Sequence, residues 1–442
     1  VKRSAEEYIA LFSNNILDKD LNNMRPKHND YDTEMYSRFW AIHSANPNAP
    51  SDTEKCIFSR HCSGTKLAPT ALFVHSSKPL LMRRSMEIAD VNKSYSNIKD
   101  KWFSGQRKPP AENKLIPDVR QKLGQAALKE ESYRRYAFRP FLPMQLLLDS
   151  ELLRSLASIG GGGTRLRPEV VSAYEHQETI GIAIAPSPID IGQELHRFAT
   201  FCWDMPDNDL CSRGNSHVFC SQFPENKPAG TITWDPTPKN NINENLLRTI
   251  QEVRPETTSS EIVFYVYATL CSGVLLEAFA DAYFTASATE NIPRIPIVRD
   301  VELMEVLIAK GKQLAELERP NVNVPLLSWA VALKEKYNRP FNLHKFTIDS
   351  ENGQVCLYSE QRDPELVLTG LPEDILDVMI SGYEVISCWL KFHSFPYTRS
   401  EFTGSDFHAL LQLLSSIDSQ NTLIGDIDEV IEKIISSDVD LI

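Results

Sequence analysis

The chain has 442 residues, 42% of them hydrophobic and 24% charged, with 46 Lys and Arg against 59 Asp and Glu and a formal net charge of −13. This is the balance of an ordinary globular protein and excludes a low-complexity, collagen-like or disordered chain. No apolar run reaches the roughly 20 residues that span a bilayer and the N-terminus lacks a charged-then-apolar leader, so a cytoplasmic protein without membrane contact is expected.

The net charge hides an uneven distribution. Residues 51–170 hold 21 Lys and Arg against 12 Asp and Glu, whereas residues 171–442 hold 19 against 40. A phosphate-facing surface needs local positive charge only, so the first tract is the expected nucleic-acid face. A solvated basic face with no partner accounts for the same counts.

In chain order, residues 5–16 form an amphipathic stretch that runs into an Asn-, Asp- and His-rich segment, read as an N-terminal helix and linker over 1–55. Ala71-Leu72-Phe73-Val74 predicts a strand and residues 80–86, with Arg83 and Arg84 between apolar neighbours, a helix. Gly105-Gln106-Arg107-Lys108-Pro109-Pro110 predicts an exposed loop, because consecutive prolines prevent regular structure. Ile180-Gly181-Ile182-Ala183-Ile184-Ala185, Phe198-Ala199-Thr200-Phe201-Cys202-Trp203 and His217-Val218-Phe219-Cys220 are strand-like. Residues 56–240 are accordingly read as a basic, β-rich recognition region. A polar tract at 228–257 marks a boundary near 240. Beyond it, Ile262, Val263, Val266, Tyr267, Leu270, Val274 and Leu275 recur at helical spacing. Further helices are expected at 301–318, 373–392, 406–417 and 427–435. The fold class is thus mixed α+β: a β-containing recognition body (56–240) followed by a mainly helical, acidic part (241–442).

Eight cysteines, at 56, 62, 202, 211, 220, 271, 356 and 388, include no Cys-x-x-Cys pair and are read as free thiols. Cys56, His61 and Cys62 lie close in sequence, as do Cys211, His217 and Cys220, but neither spacing matches a structural zinc knuckle, and no metal is expected.

Three local sequences are candidates for contact with DNA. Gly160 to Gly163 precede Thr164, Arg165 and Arg167, where backbone without side chains permits close approach and the following residues suit phosphate oxygens or a guanine edge. A flexible connector explains the same run, which has neither the Gly-Lys-Ser/Thr nor the Gly-x-Gly-x-x-Gly spacing of a nucleotide loop. Arg134 and Arg135 interleave with Tyr133, Tyr136 and Phe138, whereas Arg139, held between two phenylalanines, is read as a structural ion-pair partner. Asn215, Ser216 and His217 follow Arg213-Gly214 and are types that contact base edges, or a solvated turn. Lys66, Arg83, Arg84, Lys101, Arg107 and Lys108 complete the set, as residues that would fix register on phosphates.

A longer series carries a family resemblance. Tyr136-Ala137-Phe138-Arg139-Pro140-Phe141, the run from Glu261 through Phe264-Tyr265-Val266-Tyr267 to Leu270, Pro293-Arg294-Ile295-Pro296 and Lys310-Gly311-Lys312-Gln313-Leu314-Ala315-Glu316-Leu317 follow one another. Then come Leu371-Pro372-Glu373-Asp374, Gly382-Tyr383 and Ser387-Cys388-Trp389-Leu390-Lys391. In content and order this resembles the C-terminal specificity domain of type ISP restriction-modification enzymes over residues 55–435. The resemblance implies sequence-specific recognition of double-stranded DNA on behalf of a methyltransferase, with or without a motor nuclease, lying upstream or in a partner. It places S-adenosylmethionine in that methyltransferase and no cofactor in this chain.

Enzymatic readings find little support in the residues. The Asp/Asn/Ser-Pro-Pro-Tyr/Phe signature of amino-methyltransferases and the P-loop are absent, so methylation and ATP hydrolysis by the chain itself are not expected. Pro206-Asp207 with Glu225-Asn226-Lys227 matches the loose pattern of metal-dependent nucleases, one alternative. Another is a protein-interaction module of a defence complex that engages partners through its acidic half.

Overall fold

The computed structural model describes residues 32–43, 55–106, 109–158, 164, 166–175, 178–185, 197–211, 216–224, 238–280, 282, 293–320, 323–437 and 439–442. The helix expected at 5–16 lies outside the described residues. Two four-stranded sheets occupy the middle of the molecule. Their strands are β1 (Cys62–Ser63), β2 (Val74–His75), β3 (Tyr133–Arg139), β4 (Leu142–Leu147), β5 (Gly181–Ile184), β6 (Ala199–Cys202), β7 (Met205–Pro206) and β8 (His217–Cys220). The first sheet has the order β1-β8-β5-β6 and is antiparallel throughout. The second, β2-β4-β3-β7, is antiparallel except where β3 meets β7. Every residue of β5 and β6 is buried, which is why both read as unbroken apolar runs rather than as alternation.

The sheets are joined at a close backbone approach. Thr65 N–H donates to the Pro206 carbonyl at 2.9 Å and Asn208 N–H to that of Thr65 at 2.9 Å. A Cβ on Gly64 would stand 2.3 Å from the Asp207 carbonyl oxygen, so only glycine fits there. Beside this seam Tyr136 donates its hydroxyl to the Thr65 carbonyl at 2.6 Å and to Asp207, whose other carboxylate oxygen pairs with Arg139 at 3.0 Å. The Arg139 guanidinium also lies 4.0 Å from the Phe138 ring centre and 5.2 Å from that of Tyr383. Arg139 is therefore structural, as its position between two phenylalanines predicts.

Helices pack around and beyond the sheets: α1 (Lys78–Ala89), α2 (Pro117–Ala127), α3 (Ser259–Cys271), α4 (Val301–Leu317) and α5 (Gly404–Ser436). Helix α3 opens on a capping box between Thr258 and Glu261. All residues from Ile262 to Cys271 are buried, so the apolar stripe seen in sequence is part of a helix enclosed on all sides. Gly311 lets α4 lie directly on α3, since a Cβ there would meet the Phe264 carbonyl oxygen at 2.0 Å. Two hydrophobic clusters fill the interior, and each draws on residues from both sides of 240.

Three local expectations change. Residues 70–73 are helical (Thr70–Phe73), with the strand confined to Val74–His75; a four-residue apolar run has too little periodicity to separate the two states. The helix expected over 373–392 is interrupted by a hairpin, Met379–Ile380 with Tyr383–Glu384, whose turn places Ser381 and Gly382 at φ of 51° and 80°. The helices expected at 406–417 and 427–435 are one, α5. A three-stranded antiparallel sheet, Lys345–Asp349, Gln354–Tyr358 and Leu366–Thr369, adds β-structure to the mainly helical part.

Candidate nucleic-acid interface

Strand β3 alternates its side chains, so Tyr136 and Phe138 enter the core while Arg135 faces out. Next to it opens a cleft of about 500 Å³ lined by Tyr133, Arg134, Arg135, Tyr174, Glu175, Trp203, Asp204 and Arg319, among others. Three arginines from two distant parts of the chain converge here. Arg135, half exposed, pairs with Asp204 at 3.1 Å, and Arg134 with Glu175 at 3.4 Å. Arg319 follows the end of α4, pairs with Glu316 at 3.2 Å and lays its guanidinium 4.5 Å from the Trp203 ring centre. Trp203 is fixed by its indole N–H, which donates to the Ala315 carbonyl at 2.7 Å. Burial pushes the Asp204 carboxyl above the usual carboxylate range, against the pull of Arg135 and Arg319.

This arrangement suits a polyanion. The Arg134–Glu175 and Arg319–Glu316 pairs reach solvent and are worth roughly 0–1 kcal/mol, so exchanging either carboxylate for a phosphate costs little, whereas Arg135 stays beside the buried Asp204 and offers its remaining donors. Guanidinium groups offer paired donors that match phosphate oxygens or the O6 and N7 of guanine. The rings of Tyr133 and Trp203 give the cleft apolar wall.

Among the described residues, Arg134 and Arg135 are the sequence candidates for DNA contact that line this cleft. Lys66 is half-buried and paired with Asp209. Arg83 and Lys101 are exposed and share one carboxylate with Lys93: Glu87, at 3.3, 2.6 and 3.3 Å respectively. Burial alone would raise the Glu87 pKa, but hydrogen bonds from Lys101, Trp102 and Lys93 hold it near 2. Three cations against one carboxylate leave this group of four side chains with a net positive charge. Thr164 ties its segment to Ala68, accepting from the amide at 3.1 Å. Arg167 is half-buried, and its Nε makes no hydrogen bond among the described residues. Arg107, Lys108, Arg165 and Asn215 lie outside the described residues, as do Glu225 and Lys227.

Two expectations are corrected. Arg84 is 2% exposed and donates to the Val74 carbonyl at 3.1 Å, while burial lowers its pKa to about 9. It is a core residue. Ser216 is fully buried, its hydroxyl accepting from the Cys211 amide at 2.8 Å and donating to the Asn208 carbonyl at 3.1 Å, so it closes a turn. Asp207, the described carboxylate of the nuclease alternative, is 1% exposed and engaged by Tyr136, Arg139 and the Asp209 amide. Burial and these three donors leave it poorly placed to receive a metal ion from solvent.

Arg319 and Trp203 were not singled out in sequence. Arg319 belongs to the acidic half of the chain, where counting charge by segment conceals a single cation folded back against the basic half. His217 acquires unexpected neighbours: its ring centre is 4.9 Å from that of His61 and 6.1 Å from that of His43. Burial, then His43 and His217, lowers His61 to about 3, and burial, then His43, lowers His217 to about 4. All eight cysteines are free thiols, as expected.

The family model of the Type ISP C-terminal specificity domain matches residues 56–401. The chain belongs to this family. Solved structures similar to this specificity domain include the ATP-dependent Type ISP restriction-modification enzyme LlaBIII bound to DNA, with a TM-score of 0.58, 13% identity and 94% of this chain covered. A DrdV–DNA complex gives 0.56, 15% and 90%. A nuclease-deletion mutant of the Type ISP enzyme LlaGI, in complex with a DNA substrate mimic, gives 0.52, 14% and 90%. At such identities the likeness is one of fold. The domain spans 25%, 39% and 35% of those three chains. No curated protein matches its sequence. Among the described residues, no helix is long and apolar enough to cross a membrane.

Proposed function

We propose that this specificity domain binds duplex DNA in the cleft of Arg134, Arg135 and Arg319 and selects the target of a restriction-modification or phage-defence enzyme in the cytoplasm. The observation that carries the reading is the convergence of three accessible guanidiniums around Trp203 and Tyr133 in a member of a specificity-domain family. Arg83 and Lys101 would add phosphate contacts that fix register, and base edges would be read from the cleft. Methylation would take place on a methyltransferase lying upstream in the polypeptide or in a partner subunit, with S-adenosylmethionine bound there and the target base flipped out of the stack.

The test is selection of a preferred duplex from a random-sequence pool, followed by competition against unselected duplex. Replacement of Arg135 or Arg319 by Ala is expected to weaken the selected duplex at least tenfold, in line with about 1–3 kcal/mol for a bidentate base contact. If both variants keep full affinity and an unchanged preference, DNA does not lie in this cleft. If the chain binds no duplex at all, the protein-interaction reading replaces this one.

A further inference from the structure

We propose that His43, His61 and His217 bind one divalent transition-metal ion, zinc in the cell, and that the ion clips the segment before the recognition body to the outer strand pair of its first sheet. One nitrogen from each of the three imidazoles can be chosen so that all lie within 4.8 Å of one another. The three residues come from well-separated parts of the sequence, so local helix or turn geometry does not account for their meeting. Each is carried on ordered backbone. His61 and His217 sit on β1 and β8 or directly beside them, where Cys62 faces Val218 and Ser63 faces His217. His43 follows Ile42, whose carbonyl accepts from the Phe58 amide at 2.9 Å and whose amide donates to the Pro293 carbonyl at 2.8 Å. Phe219 stacks on His43 and His61 with ring centres 5.7 and 5.4 Å away, walling one side.

Zinc–imidazole bonds of about 2.0–2.1 Å in a tetrahedron place ligand nitrogens roughly 3.3 Å apart. Closing the present spacing to that value asks each ring to move by about 1 Å, a small adjustment of side-chain torsions with no backbone shift. The rings are half-buried, which leaves a solvent side for the ion to enter and for water as fourth ligand. An all-imidazole set excludes magnesium and calcium, which require oxygen ligands, and suits zinc among the borderline metals.

The experiment uses the full chain without an affinity tag, stripped with chelator and titrated with zinc against a chromophoric competitor, beside His61→Gln, His217→Gln and the double variant. One equivalent of zinc is expected, with affinity at least tenfold lower in each single variant. Zinc should raise the thermal midpoint of the parent and leave that of the double variant unchanged. Cobalt substitution should give the intense visible bands of a tetrahedral site without a thiolate charge-transfer band. Circular dichroism matching the parent establishes that the variants fold. Zinc at background level, a full equivalent retained by the folded double variant, or a thiolate band would each overturn the proposal, the last two by assigning the metal to cysteines. Three rings packed only as aromatic surfaces would give the first result.

Discussion

Arg83 and Arg84 are adjacent and chemically identical, yet Arg83 stands in solvent and Arg84 lies in the core. Consecutive helical residues point about 100° apart, and Arg84 falls in the stripe of Leu81, Ser85 and Ile88 that α1 buries. Its charge is held by the Val74 carbonyl and by the Phe103 ring, 5.9 Å from the guanidinium carbon. Next to Val74, His75 is also buried: its Nδ1 accepts from the Ser77 amide at 2.9 Å and its Nε2 faces the Thr398 carbonyl at 3.3 Å. Burial, then Arg84, lowers the His75 pKa to about 3. The unfolded chain takes up this proton near pH 6.5 and the folded chain refuses it until about pH 3. Stability from His75 is therefore complete above pH 6.5 and lost as pH falls toward 3, by up to about 1.4 kcal/mol per pH unit. Urea denaturation between pH 7 and 4.5 should show a shallower decline for His75→Gln than for the parent; identical slopes would contradict this protonation state. The stripe containing Arg84 was readable from spacing once the helix was assigned. The burial of Ser216 was not, because its partners, Asn208 and Cys211, are set by a turn rather than by a repeat.

Among the elements, the network around Glu318 binds the first sheet to helices α3, α4 and α5. At the end of α4, the Glu318 carboxylate pairs with Arg197 at 2.8 Å and accepts from the Thr200 hydroxyl at 3.0 Å, the Phe201 amide at 3.1 Å, Gln420 of α5 at 3.1 Å and the Tyr267 hydroxyl of α3. Arg197 also donates to Gln420 at 2.8 Å. Glu318→Ala leaves a buried guanidinium without its counter-charge, and equilibrium denaturation should show a loss of about 3–5 kcal/mol. A loss below 1 kcal/mol would mean that water reaches Arg197. No local pattern announces such a network, since its members come from four elements. The strands β5 and β6 and helices α1, α3 and α4 were legible because each has an unbroken apolar run or a regular stripe. Helix α5 reads as two in sequence because Asp418 to Thr422 is an unbroken polar run and Gly425 follows it; one of those polar residues, Gln420, is buried in this network.

At the level of the whole molecule, the basic tract and the acidic half are interleaved. Arg134 and Arg135 come from the first and Arg319 from the second, so the cleft exists only in the folded chain. Segment charge therefore located two of its three arginines, and the ordered motifs located the family, whose model ends at 401, before α5. The central claim is that these arginines meet DNA phosphates or base edges, and the salt dependence of duplex binding tests it most directly. Each phosphate neutralised releases condensed counterions and steepens the dependence of affinity on salt by about 0.9 in the logarithmic slope. The measurement is duplex affinity from 50 to 200 mM salt for the parent chain and for the variant with Arg134, Arg135 and Arg319 replaced by Ala. The account predicts steep dependence in the parent and a slope shallower by about 2–3 in the triple variant; equal slopes and equal affinities in the two proteins would contradict it.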